Sequence, residues 1–363
     1  QTDGVFQFES GGMRSVIMQL RPESIEDLIA VISLYRPGPM ESIPRYIENR
    51  RNPSKVTYRT PLLKDILSVT NGCIVYQEQV MQIFRTLAGY SLGRADIVRR
   101  AMAKKKKDVM AREKDIFIHG LTDKDGKVVV EGCVRRGISE PVAEEIYGEM
   151  ASFASYAFNK SHAASYAVVS YQTAWLKCRY PREYMAALLT SVLDNTNKLS
   201  AYIAECLRLG IRVLPPNVNE SEVGFAVSGR DIRFGLLAIR NLGKGFLESL
   251  VKERQDNGPF TTYFDFCRRL YHELNRRSLE SLVKAGALDG LGPNRRQMLN
   301  SAGSVLDYLE EDKKENVEGQ IGFFATAVKS GREEFKIDPM PDLTSADKLS
   351  MEKEVTGMYL SGH

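Results

Sequence analysis

The sequence predicts a mainly α protein: a multi-helix domain, then a short β-hairpin with two helix-turn-helix units, then an extended acidic linker. Three observations carry this. Apolar residues recur at helical spacing through most of the first 210 positions, strand-like patterns are confined to short stretches near Cys73, Val128 and Val223 to Leu236, and acidic residues dominate after Asp307. The chain has 363 residues, 43% apolar and 26% charged, enough for two or three domains with cores. That usage argues against wholesale disorder, collagen-like repeats or a disulfide scaffold. No apolar run approaches the roughly 20 residues of a membrane-spanning helix, so no membrane anchor is expected.

In chain order, Ser24-x-x-Asp27 reads as a capping box opening a helix that runs to Tyr35. It stops at Arg36-Pro-Gly-Pro39, a stiff turn that either lies beside a ligand or only ends the helix. Cys73 to Tyr76 reads as a short buried strand. It gives way at Gln77-Glu-Gln79 to a helix spaced by Val80, Ile83, Phe84 and Leu87 and ended by Gly89. In the next helix Ile97, Ala101 and Met102 form an apolar side. Arg100, Lys104 and Lys107 fall on another side, so the lysine run reads as a helical stripe, with Asp96 placed to pair with Arg100. Asp123-Lys-Asp-Gly126 has the look of a metal-binding Asp-x-Asp but is mainly a hairpin-turn signal.

Ser139 then caps a helix with Pro141 in its first turn, and Phe153 to His162 leads into a long helix ended by Pro181. With Ser161 as N-cap, free first-turn amides stand beside Asn159, Lys160 and His162. That is an anion site, or else a plain capped helix with a solvated lysine. Two more helices follow, and Ile211 to Asn217, with Pro215-Pro216, reads as a boundary. Val223 to Leu236 alternates like a hairpin. Next come a unit turning at Leu242-Gly-Lys-Gly245 and a second turning at Ala285-Gly-Ala287, whose small residues let backbone amides approach phosphates. Inside the acidic stretch, Gln320-Ile-Gly-Phe-Phe324 sets paired aromatics where no core pattern continues, as a docking peptide would.

Charge sharpens this organisation. Fifty basic against forty-six acidic residues give +4, yet residues 307–363 carry −6 and the remainder +10. Gly93 to Arg112 alone holds eight basic residues against two acidic, which favours a polyanion unless it is only a solvated face. Five scattered cysteines without a C-x-x-C pair fit a reducing compartment and argue against a structural zinc. The chain opens without an initiator Met or signal peptide and is read as a piece of a longer polypeptide.

Several stretches resemble the alpha subunits of bacterial DNA polymerase III, the C-family replicative polymerases. They are Gly4-Val-Phe-Gln-Phe-Glu-Ser10, Arg36-Pro-Gly-Pro39, Val75-Tyr-Gln-Glu-Gln-Val80, Val98-Arg-Arg-Ala-Met102 with its lysine run, Ala157-Phe-Asn-Lys-Ser-His162, Ser170-Tyr-Gln-Thr173 and Ala285-Gly-Ala287. Nearly the whole chain is covered, with the motifs in the family's order. The resemblance implies that residues 1–213 are the polymerase fingers, following a palm that precedes the first residue. It implies that 214–306 are a β-hairpin plus a tandem helix-hairpin-helix DNA-binding module, and that 307–363 are an acidic linker with a clamp-binding peptide, leading to a missing OB domain. Placing the clamp peptide before the OB domain resembles the class without an inserted exonuclease.

Such polymerases join nucleotides by two-metal phosphoryl transfer, with Mg²⁺ held by palm carboxylates. Nothing here matches that palm signature, so no catalytic or metal residue is assigned and the isolated chain is expected to be inactive. The resemblance assigns triphosphate contacts to Arg99, Arg100, Asn159, Lys160, Ser161 and His162, and pocket lining to Arg36, Gly38, Gln77 and Gln79. It assigns DNA contacts to Lys104, Lys105, Lys106, Lys107, Gly243, Lys244, Gly245 and Gly286, and sliding-clamp (beta subunit) contacts to Gln320, Ile321, Phe323 and Phe324. Implied partners are primer-template DNA, deoxynucleoside triphosphates, the clamp and other replicase subunits, in the cytoplasm at nucleoid replication forks. The alternatives are a freestanding, sequence-nonspecific DNA-binding or repair adaptor, and a protein whose basic clusters are merely solvated surface.

Overall fold

A computed structural model describes residues 2–104, 106–154, 157–318 and 335–361. Packing divides the chain into two compact units, Gln1–Trp175 and Leu176–His363.

The first unit is built on two apolar clusters. Helices α1 (Gly11–Leu20), α2 (Ile25–Leu34) and α3 (Ile43–Arg51) bury Leu34, Tyr46 and Tyr76 in one. Helices α4 (Lys64–Leu67), α5 (Gln77–Ala88), α6 (Leu92–Ala103), α7 (Lys107–His119) and α8 (Glu140–Ala154) surround Phe84, Phe117 and Tyr147 in the other, with Phe84 and Phe117 edge-on at 5.2 Å. The capping box expected at Ser24 is present: Ser24 Oγ accepts the Asp27 N–H at 3.3 Å, and Asp27 accepts the Ser24 N–H at 3.2 Å. Burial pushes the Asp27 carboxyl upward, but Arg50 Nε at 3.1 Å and the Glu23 and Ser24 amides outweigh it and hold it below the usual carboxylate range.

Cys73 to Tyr76 is buried and extended but is not a strand; it makes one parallel bridge, Tyr76 to Phe158. The reason is a side chain in the place of a neighbouring strand. Gln79 Oε1 accepts the Val75 and Tyr76 N–H groups at 2.9 and 3.0 Å, while its Nε2 donates to Thr70 Oγ1 at 2.7 Å. The Asp-Gly signal is a hairpin turn between β1 (Leu121–Thr122) and β2 (Val128–Val130), and Asp123 Oδ1 accepts the Asp125 and Lys127 N–H groups at 3.0 and 2.8 Å. Gly120 and Gly132 bring backbone onto backbone at the foot of this hairpin: a Cβ on Gly132, whose φ is +80°, would overlap the Gly120 nitrogen. Gly132→Ala is therefore expected to cost about 2–4 kcal/mol, read as a lowered urea midpoint with unchanged slope.

Helix α9 (Lys160–Arg179) starts in the first unit and crosses the division. In the second unit α10 (Pro181–Ser191) and α11 (Thr196–Arg208) precede a three-stranded sheet of order β3-β5-β4, with β3 (Val213–Leu214), β4 (Ala226–Ser228) and β5 (Asp231–Arg233). The β4–β5 hairpin pairs Val227 with Ile232, as the alternation predicts. The parallel partner β3 is not legible in the sequence, because two residues ahead of Pro215-Pro216 carry no periodicity. Helices α12 (Lys244–Asn257), α13 (Tyr263–Arg269), α14 (Arg276–Lys284), α15 (Arg295–Glu318) and α16 (Ser345–Thr356) share one core that includes Leu247, Phe266, Leu282, Met298 and Val355. Two parts of the acidic stretch are thus helical. Buried Val305 and Leu309 carry the apolar spacing of α15 past position 306, and a Thr344–Asp347 capping box starts α16. Among the described residues no helix is long and apolar enough to cross a membrane.

Candidate functional site

The start of α9 gathers most of the motif residues. Its N-cap is Asn159 rather than Ser161: Asn159 Oδ1 accepts the His162 N–H at 2.9 Å, and Ser161 lies inside the first turn, its carbonyl accepting from Ser165 Oγ at 3.0 Å. Helix α5 is stitched to this turn, Gln77 N donating to the Phe158 carbonyl and Gln77 Nε2 to the Ala157 carbonyl, both at 2.9 Å. The next residue supplies an anion. Both Glu78 carboxylate oxygens lie 3.2 Å from the Lys160 N–H, and Oε1 also accepts from Asn159 Nδ2 at 3.1 Å.

Cations and rings cluster about the same turn. Lys160 Nζ pairs with Glu26 at 3.0 Å and stands 5.3 Å from the centre of the Tyr76 ring. The Arg36 guanidinium lies 4.5 Å from the centre of the Phe158 ring, and burial holds its pKa below the usual arginine value. His162 stands 5.4 Å from the Phe158 ring and 4.3 Å from that of Tyr166. Gly38, at φ +97°, turns the chain from Arg36 into the short 3₁₀ helix Pro39–Ser42, a conformation that a side chain would strain. Arg36, Gln77, Asn159, Lys160 and His162 therefore meet around Phe158. Gln79 points the other way, its amide spent on Val75, Tyr76, Thr70 and Ile66.

The lysine run is not a continuous helical stripe. Helix α6 ends at Ala103, the Lys104 N–H closing onto the Arg100 carbonyl and the Lys106 N–H onto that of Ala101, and α7 starts at Lys107. Crowded like charges disfavour another helical turn here, so the run becomes a corner between two helices. Lys104, Lys106 and Lys107 are exposed there and form no ion pair among the described residues; Lys105 lies outside them. Arg99 and Arg100 share Asp96, at 2.7 and 2.8 Å, and these contacts hold its carboxyl below the usual range. Arg99 is only 14% exposed and Arg100 is 68% exposed, so Arg100 is the one free to leave for a ligand.

In the second unit Gly243, as N-cap of α12, Lys244 and Gly245 form an exposed turn with open space where side chains would stand. Gly286, at φ +78°, turns the corresponding hairpin but is buried against the Arg295 guanidinium. Gln320, Ile321, Phe323 and Phe324 lie outside the described residues.

Comparison with known proteins supplies a family. Residues 1–125 match the family model of the bacterial DNA polymerase III alpha subunit finger domain, and residues 210–298 match a helix-hairpin-helix motif. Over its whole length the chain is 44% identical to the DNA polymerase III subunit alpha of Xylella fastidiosa, covering 30% of that protein. The chain belongs to the DNA polymerase III alpha subunit family. Further subunit alpha relatives are those of Thermus aquaticus, 42% identical with 29% of its length covered, and Bacillus subtilis, 41% identical with 31% covered, each matching all of this chain. The chain thus spans about 30% of the length of the curated relatives it matches.

Three residues beyond those assigned from the sequence join the site in this alpha-subunit segment: Glu78, Glu26 and Phe158. Glu78 sits inside a quoted motif and carries the only charge in it, a signal that was there to use. Glu26, in the first turn of α2, reads locally as an ordinary helix-start acid.

Proposed function

We propose that this chain is the nucleotide- and DNA-handling part of a DNA-directed DNA polymerase, with residues 1–213 as fingers, 214–306 as a DNA-gripping module and 307–363 as the clamp-docking linker. One arrangement supports the nucleotide reading above the rest: the amide end of α9 accommodates a carboxylate, Glu78, at the turn where Arg36 and His162 flank the Phe158 ring and Lys160 begins the helix. A group that seats a carboxylate can seat a phosphate oxygen, and the extra charge of a triphosphate favours the exchange.

In phosphoryl transfer of this kind there is little covalent work for such residues; they place the triphosphate and neutralise it. Lys160 and Arg36 hold it, the α9 amides orient it, and Arg100 exchanges Asp96 for phosphate. Mg²⁺ would activate the primer hydroxyl and stabilise the leaving pyrophosphate, but the described residues contain no cluster of His, Cys, Asp or Glu that fits it. As the family resemblance implies, the metal-borne step is read as the work of carboxylates outside this chain. The module from Arg240 to Ser304 grips primer-template DNA by its backbone, Gln320 to Phe324 docks on the sliding clamp, and other replicase subunits are further partners.

In a full-length alpha subunit carrying this segment, Arg100→Ala is expected to raise the KM for deoxynucleotides about tenfold, with a smaller change in kcat. Steady-state primer extension measures it. Unchanged nucleotide kinetics would remove Arg100 from the site.

A further inference from the structure

The two hairpins of the helix-hairpin-helix module face different surroundings. At the first, Gly243, Lys244 and Gly245 are exposed, and Lys244 has only a 3.5 Å pairing with Glu248 one turn along α12. At the second, both flanking cations are taken by carboxylates of the same chain. Lys284 Nζ pairs with Glu354 of α16 at 2.7 Å, and Arg295 pairs with Asp289 at 2.7 Å and with Glu352 of α16 at 3.0 Å. Helix α16 also reaches the approach to the first hairpin, where the Arg240 N–H donates to the Val355 carbonyl at 2.8 Å and Arg240 Nη1 to that of Glu354 at 2.9 Å.

The two glutamates have different parts. Glu352 is fully buried and receives the Leu360 and Ser361 N–H groups at 2.8 and 2.9 Å as well as Arg295, so it belongs to the core of the unit. Glu354 is 58% exposed and its only described side-chain contact is Lys284. An exposed carboxylate paired with the lysine at the turn that could face a DNA backbone stands where a phosphate would stand.

We propose that α16 masks the second hairpin, with Glu354 taking the phosphate's place on Lys284, so that this chain grips DNA through the first hairpin alone. This rests on the reading that the module binds DNA by its backbone. A phosphate reaching Lys284 must displace an anion already held beside it, whereas at Lys244 the competing pairing is longer and open to water. The masking is a property of residues 335–361, the segment that follows the clamp peptide.

The test is fluorescence anisotropy of a labelled duplex against the full chain over a range of salt, with thermal melts to show that each variant is folded. Lys244→Ala is expected to weaken binding about threefold or more and to flatten the log K against log salt slope by roughly one. Lys284→Ala alone should change neither. Glu354→Gln should tighten binding about threefold and steepen the slope by roughly one, and adding Lys284→Ala should cancel that gain. The proposal is overturned if Lys284→Ala by itself weakens binding as Lys244→Ala does, or if Glu354→Gln brings no gain. If Lys244→Ala also leaves binding unchanged, the DNA reading of the module fails first and takes the masking with it.

Discussion

Glu205→Ala is expected to destabilise the second unit by about 3–5 kcal/mol, because it removes the carboxylate facing a buried ammonium. Glu205 on α11 is fully buried; it accepts from Lys177, itself only 6% exposed at the end of α9, and forms an ion pair with Arg208. Water replaces little of the missing charge at such a site, so much of the cost of burying the Lys177 ammonium goes uncompensated. A loss of this size would shift the equilibrium between folded and unfolded forms more than a hundredfold. Urea unfolding followed by circular dichroism measures it. A companion variant, Lys177→Met with Glu205→Leu, should be close to neutral, since it removes both desolvation penalties together. A loss below about 1 kcal/mol for Glu205→Ala would mean that the pair is open to solvent.

Lys160→Ala, made in a full-length alpha subunit carrying this segment, is expected to raise the nucleotide KM ten- to a hundredfold. A charge-assisted contact is worth about 1.5–3 kcal/mol, and this lysine is the first residue of α9, its ammonium paired with Glu26. Lys160→Arg should recover most of the loss, because the guanidinium keeps the charge and can reach Glu26. The pattern that counts against the nucleotide site is a fall in melting temperature with unchanged KM. That would leave Lys160 as a tie between α2 and α9 only.

Much of the local structure was legible because its causes are local. The Ser24 capping box, the Asp123 turn, the stop at Arg36-Pro-Gly-Pro39 and the Val227–Ile232 hairpin each follow from side chains a few residues apart. The misreadings arise where the local pattern leaves more than one outcome open. Ser161 and Asn159 are both good caps two positions apart, and only the approach of Glu78, which holds Asn159 Nδ2 and the Lys160 N–H together, settles the helix start at the earlier one. The lysine run has helical spacing, and spacing alone carries no information about where α6 ends. Cys73 to Tyr76 has strand-like composition, but Gln79 took the hydrogen bonds that a neighbouring strand would have needed.

What the sequence by itself determined is the helical texture, the glycine-marked turns, the basic body with its acidic tail, and the ordered motifs of the alpha-subunit family. Only the tertiary structure decided which charges are spent and which remain available. Lys160 meets Glu26 across 134 positions, Lys160 meets Glu78 across 82, and Lys284 meets Glu354 across 70. Each pairing depends on how separate helices pack, and helical periodicity says which face a charge occupies but not which face lies opposite it.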